Sequence, residues 1–261
     1  MNRTRRNIII TLTCFGAYYI AFENFGEIMH IIDIILNYRP LSYFITYITI
    51  GIPIFLGTYL INSNYKIFNN LGLSKNILPG LILATLFALP MFIGGLISYK
   101  FNTEISIPNL IAGTIFAGLF EELYFRGFLF GQIFRNTGLG FFPSIIFGAI
   151  VFAAAHFYQS QDFSTMTGIF ITTFLGAVFF AWLFVEWDYN LWVPIFLHTF
   201  MNLSWLLFNV SDNAFGNLKS NLYRGLTIAT AIILTILHKR KHRQKLTIDL
   251  KTLMMKYNYH E

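Results

Sequence analysis

Long apolar stretches separated by short polar connections run along almost the whole of this chain. Read with a window of about 19 residues, they give about eight segments able to span a bilayer. These lie at approximately 7–23, 41–62, 78–98, 108–131, 141–158, 164–185, 191–210 and 222–238. Backbone groups in hydrocarbon have no water to bond, so such segments must be helical. The expected fold class is therefore all-α: a polytopic membrane helix bundle with about eight transmembrane helices. Residues 1–238 read as one multi-pass domain with its polar motifs at 108–210, and no internal repeat, low-complexity tract or soluble domain interrupts it. Residues 239–261 differ in character. Leu246, Ile248, Leu250, Leu253 and Met254 alternate with Lys245, Asp249, Lys251 and Lys256, which fits either a short amphipathic helix on the inner leaflet or a disordered basic tail.

Composition agrees with a membrane setting. The 261 residues are 56% hydrophobic and 18% aromatic but only 11% charged, against roughly 25% charged in a soluble domain. The single cysteine, Cys14, excludes an internal disulfide and reads as a small packing residue. The net charge of +6 comes largely from the two ends: Arg3, Arg5 and Arg6 at the start, and Lys239, Arg240, Lys241, Arg243 and Lys245 after the last apolar run. Beside membrane spans, the positive-inside rule and anionic lipid account for such clusters, so no nucleic-acid partner is expected. An even number of spans puts both termini on one side, the cytoplasmic one. The acidic stretch Glu23, Glu27, Asp33 then lies outside, while Glu186 and Asp188 run against the charge trend. No small-x-small cleavage site precedes Glu23, so the first span reads as an uncleaved anchor.

Charged and titratable side chains inside the apolar segments are costly and mark functional sites by default. Here they form three short patterns: Glu121-Glu122-Leu123-Tyr124-Phe125-Arg126, Phe152-Ala153-Ala154-Ala155-His156 and His198-Thr199-Phe200-Met201-Asn202. Glu122 and Arg126 have the i, i+4 spacing and the favourable order of a helical ion pair. Glu121 is about 100° away round the helix, which leaves it free to activate a water. His198 and Asn202, also one turn apart, can both donate to a developing oxyanion. His156 is the natural second partner for a water held by Glu121, with Phe152 packed beside its ring. No serine or cysteine nucleophile with a base appears, nor an HExxH zinc helix. Two histidines and a glutamate still have the composition of a His₂Glu metal site. Phe116, Phe120, Tyr124 and Phe128 recur every fourth residue as one aromatic stripe, and with Phe130 they read either as core packing or as the lining of an apolar groove.

The three motifs in this order, EExxxR at 121–126, FxxxH at 152–156 and HxxxN at 198–202, resemble the CPBP family. That family includes the type II CAAX prenyl endopeptidases and the bacterial Abi or bacteriocin-processing proteins. The resemblance implies an intramembrane endopeptidase that hydrolyses peptide bonds of membrane-associated peptides or proteins with a glutamate-activated water. Glu121 would be the base, His156 would help hold the water, His198 and Asn202 would stabilise the oxyanion, and Glu122 and Arg126 would shape the site. No cofactor is expected, although a divalent metal held by Glu121, His156 and His198 stays open. A leader peptide, pheromone precursor, bacteriocin or membrane-protein end is the expected substrate, met at the cell membrane. The alternatives are a non-catalytic self-immunity or scaffold protein and a proton-coupled transporter; the latter often carries internal repeats and broken helices in matched positions.

Overall fold

A computed structural model describes residues 2–256 of the chain. It begins with α1 (Arg3–Glu23), whose first turn is capped by the Asn2 side chain, and bends by 66° into α2 (Phe25–Leu36). Next come α3 (Arg39–Ile50) and α4 (Ile52–Asn62). Pro40 and Pro53 lie in their first turns, where a missing N–H forfeits no helical bond. A single turn, α5 (Ile67–Asn70), leads to α6 (Ile77–Ser98). Residues 107–136 form one irregular helix: α7 (Ile107–Ile111), a π-helical segment Ala112–Phe116, α8 (Ala117–Glu121), a second π-helical segment Glu122–Phe130, and α9 (Gly131–Asn136). Then follow α10 (Phe141–Ala154), α11 (Phe163–Glu186), α12 (Trp192–Leu207) and α13 (Leu218–Lys241).

The architecture is an all-α membrane bundle, but not one of eight spanning helices. Among the described residues five helices are long and apolar enough to cross a bilayer: Arg39–Asn62, Ile77–Ser98, Phe141–Gln159, Phe163–Glu186 and Leu218–Lys241. The bent pair α1 and α2 makes a sixth if counted as one span. Three of the expected segments fall short for physical reasons. Arg3, Arg5, Arg6 and Asn7 occupy the first turns of α1. The 108–131 stretch carries Glu121, Glu122 and Arg126 and is divided between α and π turns. The 191–210 stretch shortens to the 16 residues of α12, about 24 Å at 1.5 Å per residue, against roughly 30 Å of hydrocarbon.

The core forms where residues 107–136 are enclosed. Phe15 and Tyr18 of α1, Ile54 and Ile61 of α4, and Phe184 of α11 cluster with Phe120, Tyr124 and Phe128. A smaller cluster joins Ala84, Phe87 and Ala88 of α6 to Val193 and Leu197 of α12. Outward-facing aliphatics such as Leu86, Ile93, Ile146 and Ile233 are exposed, as a surface solvated by lipid tails allows. The aromatic stripe is core rather than groove lining: Phe120 stacks on Tyr47 with centroids 4.4 Å apart, and Tyr124 and Phe128 are fully buried. Tyr124 donates to the Tyr47 carbonyl at 2.7 Å, across a position where only Gly51 leaves room for its hydroxyl.

Contacts place the first and last stretches of the described residues at one end of the bundle. Asn7 Nδ2 donates to the Asn136 carbonyl at 3.0 Å, and two residues further on the Gly138 carbonyl accepts from the Lys256 N–H at 2.9 Å. Both basic clusters therefore share an end, independently of any even span count. Glu186 and Asp188 belong to the same end, paired with Lys239 at 3.3 Å and Lys75 at 3.9 Å. Their presence among basic residues is thus an ion-pairing matter.

Beyond the end of α13 the described residues make no helix, and they are tied down by the bundle. Glu186 accepts from the Thr247 and Ile248 N–H groups at 3.0 and 2.9 Å. The Met254, Thr252 and Leu253 carbonyls accept from the N–H groups of Gly140, Phe141 and Phe142, each at 2.9 Å. These are orphan donors at the start of α10, which has no side-chain cap. Residues 257–261 of the expected tail lie outside the described residues.

Candidate active site

The three sequence patterns reach one region of the bundle by different elements. Glu121 ends α8, and Glu122 and Arg126 lie in the π-helical segment that follows. The regular helical spacing expected here is thus replaced by a wider turn, a feature frequent at functional sites. The ion pair survives the change: Arg126 Nη1 is 3.3 Å from Glu122 Oε1, with both side chains wholly buried. His198 and Asn202 project from α12, which approaches α8 closely because Gly118 has no side chain to collide with Thr199 and Ile195.

His198 is the junction of the site. Its Nδ1 is 2.8 Å from Glu122 Oε1, and its Nε2 is 3.8 Å from Glu121 Oε2. With Glu122 ionised against Arg126, the carboxylate accepts and Nδ1 carries the proton. That leaves Nε2 facing Glu121, beyond direct hydrogen-bond range but close enough for one small molecule to touch both atoms. The two glutamates are not equivalent. Glu122 is sealed, whereas the Glu121 side chain keeps 27% of its accessible surface.

Arg126 has an unusual environment. None of its nitrogens has a hydrogen-bond partner, and neither has Glu122 Oε2. The guanidinium instead lies over the Phe152 ring at 4.4 Å and faces Phe180 at 5.6 Å. Phe152 therefore does more than pack beside His156: it is a cation–π partner of the buried arginine. Phe180 on α11, absent from the sequence motifs, also stacks on His198 with centroids 5.2 Å apart and planes 14° from parallel. No motif spacing points to it; the only signal was one aromatic among many.

The other two motif residues are close by but differently engaged. His156 follows α10, and its Nδ1 lies 2.7 Å from the Phe152 carbonyl. A carbonyl only accepts, so the proton is on Nδ1 and Nε2 is the free ring nitrogen. His156 makes no ion-pair contact with Glu121 or Glu122; those contacts belong to His198 and Arg126. Asn202 Nδ2 donates one hydrogen to the Gly113 carbonyl at 3.0 Å, inside the first π-helical segment, and keeps a second. Among the described residues no three His, Cys, Asp or Glu side chains are grouped to hold a metal. Glu121, His156 and His198 in particular do not converge as ligands, so no step below is routed through a metal.

Comparison with known proteins agrees with the placement of the motifs. Residues 103–204 match the family model of the type II CAAX prenyl endopeptidase Rce1-like proteins. The match covers the π-helical segments, α8 and all three motifs, and stops within α12, two residues beyond Asn202. No curated protein and no solved structure matches the chain.

Proposed function

We propose that this protein is an intramembrane endopeptidase that hydrolyses peptide bonds of membrane-associated peptides or proteins. The observation that carries the proposal is the bridging of Glu121 and Glu122 by one histidine, with the sealed acid neutralised by Arg126 and the other open. The similarity of residues 103–204 to CAAX prenyl endopeptidases supports the same reading.

In the proposed reaction Glu121 takes a proton from water while the water oxygen attacks the peptide carbonyl carbon, and the carbonyl π pair moves onto oxygen. The resulting oxyanion is stabilised by the free Asn202 amide hydrogen and by His198, whose Nε2 takes from Glu121 the proton that came from water and donates it in a hydrogen bond to the oxyanion. Collapse of the tetrahedral centre breaks the C–N bond. The departing nitrogen receives that proton from His198 Nε2, leaving a carboxylic acid and an amine, and transfer of the acid's proton to the amine gives carboxylate and ammonium. His156 offers its Nε2 to the substrate or water from the end of α10. Glu122 and Arg126 hold His198 and supply fixed charge. The terminal end of the bundle, rich in lysine and arginine, is assigned to the cytoplasmic side.

The test is quantitative peptidomics on cells expressing the wild-type chain or Glu121→Ala at matched membrane abundance. Products that vanish with the variant, and reappear with purified wild-type protein, support proteolysis. Matching profiles alongside a persisting phenotype would instead favour a non-catalytic immunity or scaffold role.

A further inference from the structure

We infer that Phe180 is a positioning residue of this site, fixing the ring plane of His198 through a continuous stack of four side chains. The inference deepens the proposed endopeptidase reading and rests on it for its kinetic part only. The stack runs Phe152, Arg126, Phe180, His198, drawn from α10, the Glu122–Phe130 segment, α11 and α12. Phe180 is 7% exposed, so solvent does not compete for its faces.

An imidazole has two nitrogens to orient, and α12 by itself fixes neither. Rotation about the outer side-chain torsion is broad for histidine, and a turn of the ring would exchange the atoms presented to the two glutamates. Glu122 holds one edge at 2.8 Å. That single bond is a pivot and leaves the tilt of the plane open. A parallel aromatic face at 5.2 Å closes that freedom. The same ring is itself held by Arg126, whose guanidinium lacks hydrogen-bond partners and lies between two phenylalanines. Phe180 thus links the charge that neutralises Glu122 to the imidazole that faces Glu121.

Phe180→Leu and Phe180→Met remove the ring and keep an apolar side chain; Phe180→Tyr keeps the ring. On a cleavable peptide, the ring-less variants should lose roughly tenfold or more in kcat with KM within about twofold, and Phe180→Tyr should recover most of the loss. Wild-type kcat in a ring-less variant, or an equal loss in Phe180→Tyr, would overturn the assignment. Histidine-labelled NMR in nanodiscs gives a readout independent of activity, with His198 assigned by the signal that Phe180-intact His198→Gln removes. In wild type its carbon-bound ring protons should be shifted upfield by the stacked phenyl, and the ring-less variants should lose that shift while keeping the Nδ1–H form set by Glu122. A wild-type spectrum lacking the upfield shift would overturn the inference even if no ring-less variant folds. A normal wild-type spectrum from a protein that cleaves nothing would sink the endopeptidase reading and leave the stack intact.

Discussion

Among the described residues two glutamates are sealed, each with a cation 3.3 Å away, yet their surroundings are opposite in kind. Glu186, at the terminal end, uses both oxygens on backbone N–H groups of the tail and pairs with Lys239 as well. Glu122, in the middle of the bundle, leaves Oε2 without a partner and faces an arginine none of whose nitrogens is hydrogen-bonded. A buried polar group left unmade costs about 1–3 kcal/mol. Glu186 avoids that cost, whereas Glu122 and Arg126 carry it, as Arg224 and Thr227 do elsewhere. Burial and ion pairing alone do not separate the two; hydrogen-bond satisfaction does.

The largest expected effect comes from removing the unsatisfied acid. Glu122→Ala strands Arg126 in an apolar interior and should destabilise the protein by about 3–5 kcal/mol, seen as a lowered unfolding temperature and loss of monodisperse protein in detergent. Glu121→Ala should express and fold as wild type while losing cleavage. Equal expression of the two variants would sink this division of labour. Glu186→Ala should cost less, about 1–3 kcal/mol, because Lys239 lies at the end of α13, where its side chain can reach water. Its signature is release of the tail: faster hydrogen exchange at Phe141, Phe142, Thr247 and Ile248, with turnover retained. Lost turnover with the tail still protected would break the comparison. Phe152→Leu removes one face from Arg126 and should cost about 0.5–2 kcal/mol, read from chemical denaturation.

A further effect is a pH dependence of the tail. Lys256 donates to the Phe134 carbonyl and lies over the Phe134 ring. Burial, and then the nearby charge of Arg135, push its ammonium from 10.5 down to about 8. Between those values a released tail holds a proton that the docked tail has lost, so docking gains stability as pH rises through that window and is flat below it. Protection of the Gly140 amide should therefore increase from pH 8 toward 10.5, and Lys256→Gln should remove the slope.

The sequence by itself determined the solvent and the candidate site residues. Apolar runs too long for a soluble domain require lipid-facing helices. Acids, an arginine and histidines within such runs are too costly to be incidental, and local spacing was enough to pair Glu122 with Arg126. It did not determine how many runs are continuous spans. Hydropathy averages over the π turns in residues 107–136 and over the bend after α1, and it overstates the length of α12. Nor did it show which buried acid is satisfied, since the Glu186 donors lie 61 and 62 residues away. Only the tertiary structure brought Phe180 between Arg126 and His198, and set both nitrogens of His198 toward two adjacent acids. Those are contacts between separate helices, whose geometry depends on close approaches such as Gly118 against α12 and has no period along the chain.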